Sequence, residues 1–144
     1  MPVIALLLAL SLTGPSMVTR DGDALRLWQA LNAERLGQGV VALTLDPTLS
    51  RVACRHATDL AARDTVDHLS SDGQGPFDRM RRADIRFGYA GENIALDLDV
   101  LHADRALWNS APHRRNTLEP HYQRIGVAAV ATDRGEFFVE DFSD

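Results

Sequence analysis

An α+β fold is predicted by three features of the sequence. Segments of helical hydrophobic period fill the first two thirds of the chain. Apolar stretches of strand character are concentrated at its end, and they flank a turn, which makes them an antiparallel hairpin. Strands and helices do not alternate as βαβ units would require. The 144 residues suffice for one domain with a real core and are too few for two. A content of 45% apolar and 24% charged residues excludes both pervasive disorder and a polytopic membrane protein.

The elements follow in order. From Asp21 to Gly37, Ala24, Leu27, Trp28, Leu31 and Leu36 recur at helical spacing, and Gly37 and Gly39 stop the helix. Val40 to Leu45 is β-branched in part and reads as extended. Asp46 then supplies an N-cap and Pro47 a first helical residue. The second helix carries Leu49, Val52, Ala53, His56, Ala57, Leu60 and Ala61 on one stripe and ends near Asp64. Residues 65–75 read as a loop, Pro76 opens a short basic helix to about Ala83, and a second loop is expected from Arg86 to Asn93. Val100, Leu101, Ala103, Leu107 and Trp108 predict a further amphipathic helix that Pro112 ends, with a turn over 110–113. Ile125 to Ala131 is apolar on both alternating faces, as in a strand covered on two sides; Asp133 to Gly135 turns the chain into a partner strand, Glu136 to Phe142.

The amino terminus carries an apolar run, VIALLLALSL over 3–12, and the first charge is Arg20. The run is shorter than the roughly 20 apolar residues a membrane-spanning helix needs. It therefore reads as a secretory signal peptide over residues 1–19, with the domain over 20–144, and the chain is expected outside the cytoplasm, secreted or periplasmic, without a permanent membrane span.

Fifteen basic against twenty acidic side chains give a net charge of −5, opposite to the footprint of a nucleic-acid binder, so no nucleic-acid partner is expected. Every basic residue is Arg, which excludes Schiff-base lysine chemistry and a P-loop lysine. The single cysteine, Cys54, excludes an intramolecular disulfide.

Three segments hold polar side chains that a core would not choose: His68 with Ser70, Glu92 with Asn93, and Ser110 with His113 and Asn116. Two imidazoles and a carboxylate suit either a three-ligand divalent site with an open position or an acid/base pair whose tautomer a carboxylate fixes. Separations of 24 and 21 residues are far from the local HExxH signature, so spacing alone decides neither. His56, His102 and His121 read as packing or surface residues. Arg79, Arg81, Arg82 and Arg86 read as a solvated helix face rather than a lipid-binding stripe. Ser110 lacks the G-x-S-x-G elbow of a serine hydrolase.

Four ordered blocks, HLSSDG at 68–73, GYAGENIA at 88–95, WNSAPHRRN at 108–116 and YQRIGV at 122–127, resemble the bacterial branch of the CAP superfamily, the SCP-like extracellular domain. The resemblance runs from about Leu25 to Phe142. It implies a three-layer α-β-α sandwich with a central antiparallel sheet, of which the hairpin is one part. It also implies a cleft in which His68 and His113 take the family's histidine positions and Glu92 its glutamate, with Asn93 orienting that loop. Where the fuller animal and plant pattern has a second glutamate, this chain has Ala111, so the cleft is reduced to three residues. The function expected is that of a secreted, monomeric binding or interaction module rather than an enzyme. Its cleft of His68, Glu92 and His113, supported by Ser70, Asn93, Ser110 and Asn116, would accept a divalent cation such as zinc that folding does not require. The partner would be an extracellular lipid, cell-envelope glycan or protein. The alternatives are a metal-assisted extracellular hydrolase acting on peptide, ester or glycan, and a lipid- or sterol-binding protein.

Overall fold

The computed structural model describes residues 16–144; residues 1–15 of the expected leader lie outside them. Its elements run β1 (Val18–Thr19), α1 (Asp21–Gly37), β2 (Thr44–Leu45), α2 (Pro47–Arg63), α3 (Pro76–Arg82), β3 (Ala90–Asp97), α4 (Val100–Asn109), α5 (Ala111–Thr117), β4 (Arg124–Thr132) and β5 (Gly135–Ser143). The sheet has the order β1-β4-β5-β3, antiparallel throughout, and β2 adds a short parallel pairing to β4. Val18 and Thr19, the last two residues of the leader expected over 1–19, pair with Ala131 and Val130 of β4.

Alternation along β4 and β5 produces the three layers. Ile125, Val127, Ala129, Phe138 and Phe142 pack against Ala24, Leu27 and Leu31 of α1 and Ala103 and Leu107 of α4. Ala128, Val130, Phe137 and Val139 point the other way, onto Ala53, Ala57, Leu60 and Ala61 of α2. The alanines of α2 let it lie close to the sheet. The closest approach is at Gly126, where an added Cβ would collide with the backbone of Leu49 and Ser50. Leu49 and Val52 continue the packing onto Met80 and Ile85, seating α3 beside α2. Asp46 caps α2 as expected, accepting from Thr48 N at 2.7 Å and Leu49 N at 3.0 Å.

Several local expectations are corrected. The loop expected to reach Asn93 ends at Tyr89, and Gly91, Glu92 and Asn93 lie inside β3, paired with Phe142, Asp141 and Glu140. Glycine, glutamate and asparagine are poor strand formers in isolation, and the β5 ladder overrides that preference. Pro112 opens α5 rather than merely ending α4, so His113 and Asn116 stand on a helix and not in a turn. Leu36 is exposed, while its neighbour Arg35 is fully buried and donates to the carbonyls of Val41, Thr117 and Glu119. Of the extended stretch over 40–45, only Thr44 and Leu45 form a strand.

Candidate functional site

Consecutive residues of a strand face opposite sides of a sheet, and β3 uses this at the sheet's edge. Glu92 turns toward the α2 and α3 layer, and Asn93 toward the α4 and α5 layer. The glycine that precedes them is required by packing: a Cβ at Gly91 would collide with the hydroxyl of Tyr122, itself stacked on Phe142.

Glu92 is buried, and both its oxygens are engaged. Oε1 accepts from His68 Nδ1 at 2.7 Å, and Oε2 is paired with the guanidinium of Arg79. The side chain of His68 is 57% exposed while that of Glu92 is 1% exposed, so a buried carboxylate orients an imidazole whose other nitrogen is free to face solvent. The bond to Glu92 raises the His68 pKa above its ordinary value against the opposing effect of partial burial. His113 differs: burial first, and then the charge of His68, lower its pKa. Its Nδ1 is held by the hydroxyl of Ser110 at 2.7 Å.

Asn93 and Asn116 tie α5 to β3. Asn116 Nδ2 donates to the carbonyl of Glu92 at 3.1 Å and to Asn93 Oδ1 at 3.0 Å, and Asn93 Nδ2 donates to the carbonyl of His113 at 3.2 Å. These bonds bring Glu92, His113 and their supports together at the free edge of β3. Ser70 lies behind His68 rather than beside it, accepting from Arg79 Nη1 at 3.0 Å and standing 3.3 Å from His56 Nδ1.

Two residues of this region, Arg79 and His56, differ from their sequence expectation, and a third, Asp141, is one the sequence does not single out. Arg79 is not part of a solvated basic face. Its side chain is 9% exposed, and besides Glu92 it binds the carbonyls of His68 and Gln74, fastening the 65–75 loop to β3. The signal was its one-turn offset from Gly75 and Pro76, which turns it inward while Arg81 and Arg82 face water. His56, read as a packing residue, is buried and bonded to the carbonyl of Asp67 at 2.9 Å, but it also stands 3.9 Å from Glu92 Oε2. Burial lowers its pKa and favours the neutral ring. Asp141 is the register partner of Glu92 on β5 and is fully buried, with neither oxygen hydrogen-bonded among the described residues. Burial, followed by the charge of Glu92, pushes its carboxyl well above the usual range, which favours the neutral form. A second acid therefore does lie next to Glu92, but beneath it and away from solvent.

Among the described residues, no three His, Cys, Asp or Glu side chains are gathered into a ready-made metal centre. The reason is visible in the bonds of Glu92: a carboxylate already shared between a guanidinium and an imidazole has little capacity left for a cation. Among the described residues, no helix is long and apolar enough to cross a membrane.

Comparison with known proteins agrees with this architecture. The profile of the cysteine-rich secretory protein family, CAP, matches residues 28–142. The protein YkwD of Bacillus subtilis (strain 168) is 37% identical over 112 residues, 77% of this chain; the chain spans only 43% of that relative's length. An extracellular protein containing an SCP domain from Bacillus anthracis str. Ames superposes with a TM-score of 0.78 at 27% identity, covering 85% of this chain and 40% of that one. An outer surface protein of Borrelia burgdorferi superposes with a TM-score of 0.84 at 23% identity, over 91% of this chain and 98% of that one.

Proposed function

The chain belongs to the cysteine-rich secretory protein (CAP) family, and from that premise we propose that it is an exported binding module whose cleft, between His68 and His113, accepts a divalent cation, zinc in the first instance. The observation that carries this reading is the exposed His68 imidazole held by a buried carboxylate. That is how proteins prepare a histidine to ligate a metal through its outer nitrogen. The fit assigns the roles unevenly. His68 and His113 would hold the ion through the nitrogens left free by Glu92 and Ser110, and Glu92 would orient rather than ligate. Bound there, zinc would supply a Lewis-acid centre with positions open to an oxygen or nitrogen donor of a partner molecule. The partner would be an extracellular lipid, a cell-envelope glycan or a protein, in keeping with the extracellular and outer-surface descriptions of the structural relatives.

A binding role is favoured over metal-assisted hydrolysis by the placement of the acids. Glu92 is committed to Arg79 and His68, Asp141 is sealed below it, and Ala111 stands where a second cleft acid would be. Among the described residues, neither Glu92 nor Asp141 is thereby left free to move a proton to or from a substrate in the cleft.

Calorimetric titration of the chain with zinc tests the proposal. Saturable binding that weakens at least about tenfold in both His68→Ala and His113→Ala supports it, since each removes one ligand. Equal binding in all three proteins, or none in any, overturns it. Hydrolysis of peptide, ester or glycan substrates that disappears with a chelator and in both variants would replace the binding module with an enzyme.

A further inference from the structure

Between the 65–75 loop, α2 and α3 lies a hollow of about 320 Å³. Val52, Arg55 and Asp59 of α2 line one wall, Ser71, Asp72 and Gln74 of the loop another, and Arg79 and Arg82 of α3 close it. This volume is at the small end of ligand pockets. Val52 is buried and gives it an apolar floor.

The charges around this hollow are unequally satisfied. Asp59 is paired with Arg63 at 2.8 Å and accepts from the Ser71 N–H at 3.0 Å. Asp72 accepts from the Gln74 N–H at 3.2 Å and stands 3.6 Å from Arg82. Arg79 is committed to Glu92. His56, which also borders the hollow, favours its neutral form because it is buried. Arg55 alone of the cations lining it has no carboxylate partner among the described residues. The hollow thus offers one unspent guanidinium beside an apolar floor, with two carboxylates in its walls.

We propose that this pocket is a binding site for a small monoanion, a carboxylate carried on a short branched apolar chain, with Arg55 as its anchoring cation. A guanidinium matches the geometry of a carboxylate, to which it can donate two parallel hydrogen bonds. Asp59 and Asp72 set the charge limit, because a phosphate dianion would meet two like charges for each cation left free. Val52 takes the apolar portion. Its anchoring cation is not one of the histidines of the zinc proposal, although Ser70 and Arg79, which also line the hollow, bond to one another and Arg79 to Glu92.

The test is an NMR titration of the isotopically labelled full chain with 4-methylpentanoate, the neutral 4-methylpentan-1-ol and inorganic phosphate. Saturable shifts centred on the amides of Arg55, Ser71 and Gln74 are expected with the carboxylate alone. Arg55→Gln should weaken that binding at least about tenfold, the loss expected for one charge-assisted contact, and Arg55→Lys should retain part of it. Arg55 is exposed, so the variants should fold, which a thermal melt checks. His113→Ala should bind the carboxylate as the parent does. The proposal is overturned by any of four results: no saturable shift, equal binding of the alcohol or of phosphate, unchanged affinity in Arg55→Gln, or loss of binding in His113→Ala.

Discussion

Two adjacent rungs of the β3–β5 ladder bury acids on opposite faces of the sheet and treat them differently. On the α2 face, Glu92 and Asp141 share one neighbourhood with Arg79 and the two histidines His56 and His68. On the α4 face, the next rung pairs Asn93 with Glu140, whose one hydrogen-bonding side chain among the described residues is the Asn93 amide at 3.0 Å. Burial pushes Glu140 up to about 8, and the nearby acids Glu34 and Asp104 push in the same direction. A buried acid stays shared between a guanidinium and an imidazole where both reach it, and is pushed toward the neutral form where an amide alone does.

The largest effect should come from removing the cation that separates the two cases. Arg79→Met leaves Glu92 without its guanidinium and releases the 65–75 loop, and should cost about 3–5 kcal/mol in denaturant unfolding. A loss below about 1 kcal/mol would mean that Arg79 does not set the two faces apart.

Second in size is Glu140→Gln. An acid whose folded pKa lies above its unfolded value loses stability as pH rises between the two, here from about 4.5 toward about 8. Below that window the variant should match the parent. At pH 8 it should be more stable, by an amount on the order of 4 kcal/mol, as equilibrium unfolding across the pH range would measure. A constant difference at all pH values would show that the carboxyl does not titrate within the window.

Next is the pH dependence of the cleft. The His68 pKa is raised chiefly by its bond to Glu92, so the stabilisation from that pair is complete below the unfolded histidine value, near 6.5, and fades as pH rises through the higher folded value. Zinc must displace that proton, so its affinity should climb over the same interval and then level off. Affinity that is flat with pH in the parent would remove His68 from the ligand set. The smallest effect is expected for His68→Ala at neutral pH, within about 1 kcal/mol of the parent in stability because the imidazole is largely exposed.

The helices, the hairpin and the four motif blocks are legible in the sequence because periodicity and capping residues such as Asp46 and Pro47 act locally. What is not legible depends on pairing across the sheet. Nothing in the letters of residues 91–93 announces a strand; only the ladder with β5 makes one, and only the ladder sets Asp141 beside Glu92. Arg79 is similarly opaque, since one arginine of a basic run looks like the next until the helix is docked. The three residues expected to line the cleft could be named from their motif positions, whereas the way Glu92 divides its oxygens could not.

The glycine of β4 on which α2 rests has a reach beyond its own contact. α2 carries His56 toward Glu92 and Arg55 toward the hollow it shares with α3, and its height over the sheet is fixed at Gly126. That residue is in effect a fulcrum. A methyl group added there would lever the helix away from the sheet and displace His56 and Arg55 together, though it touches neither.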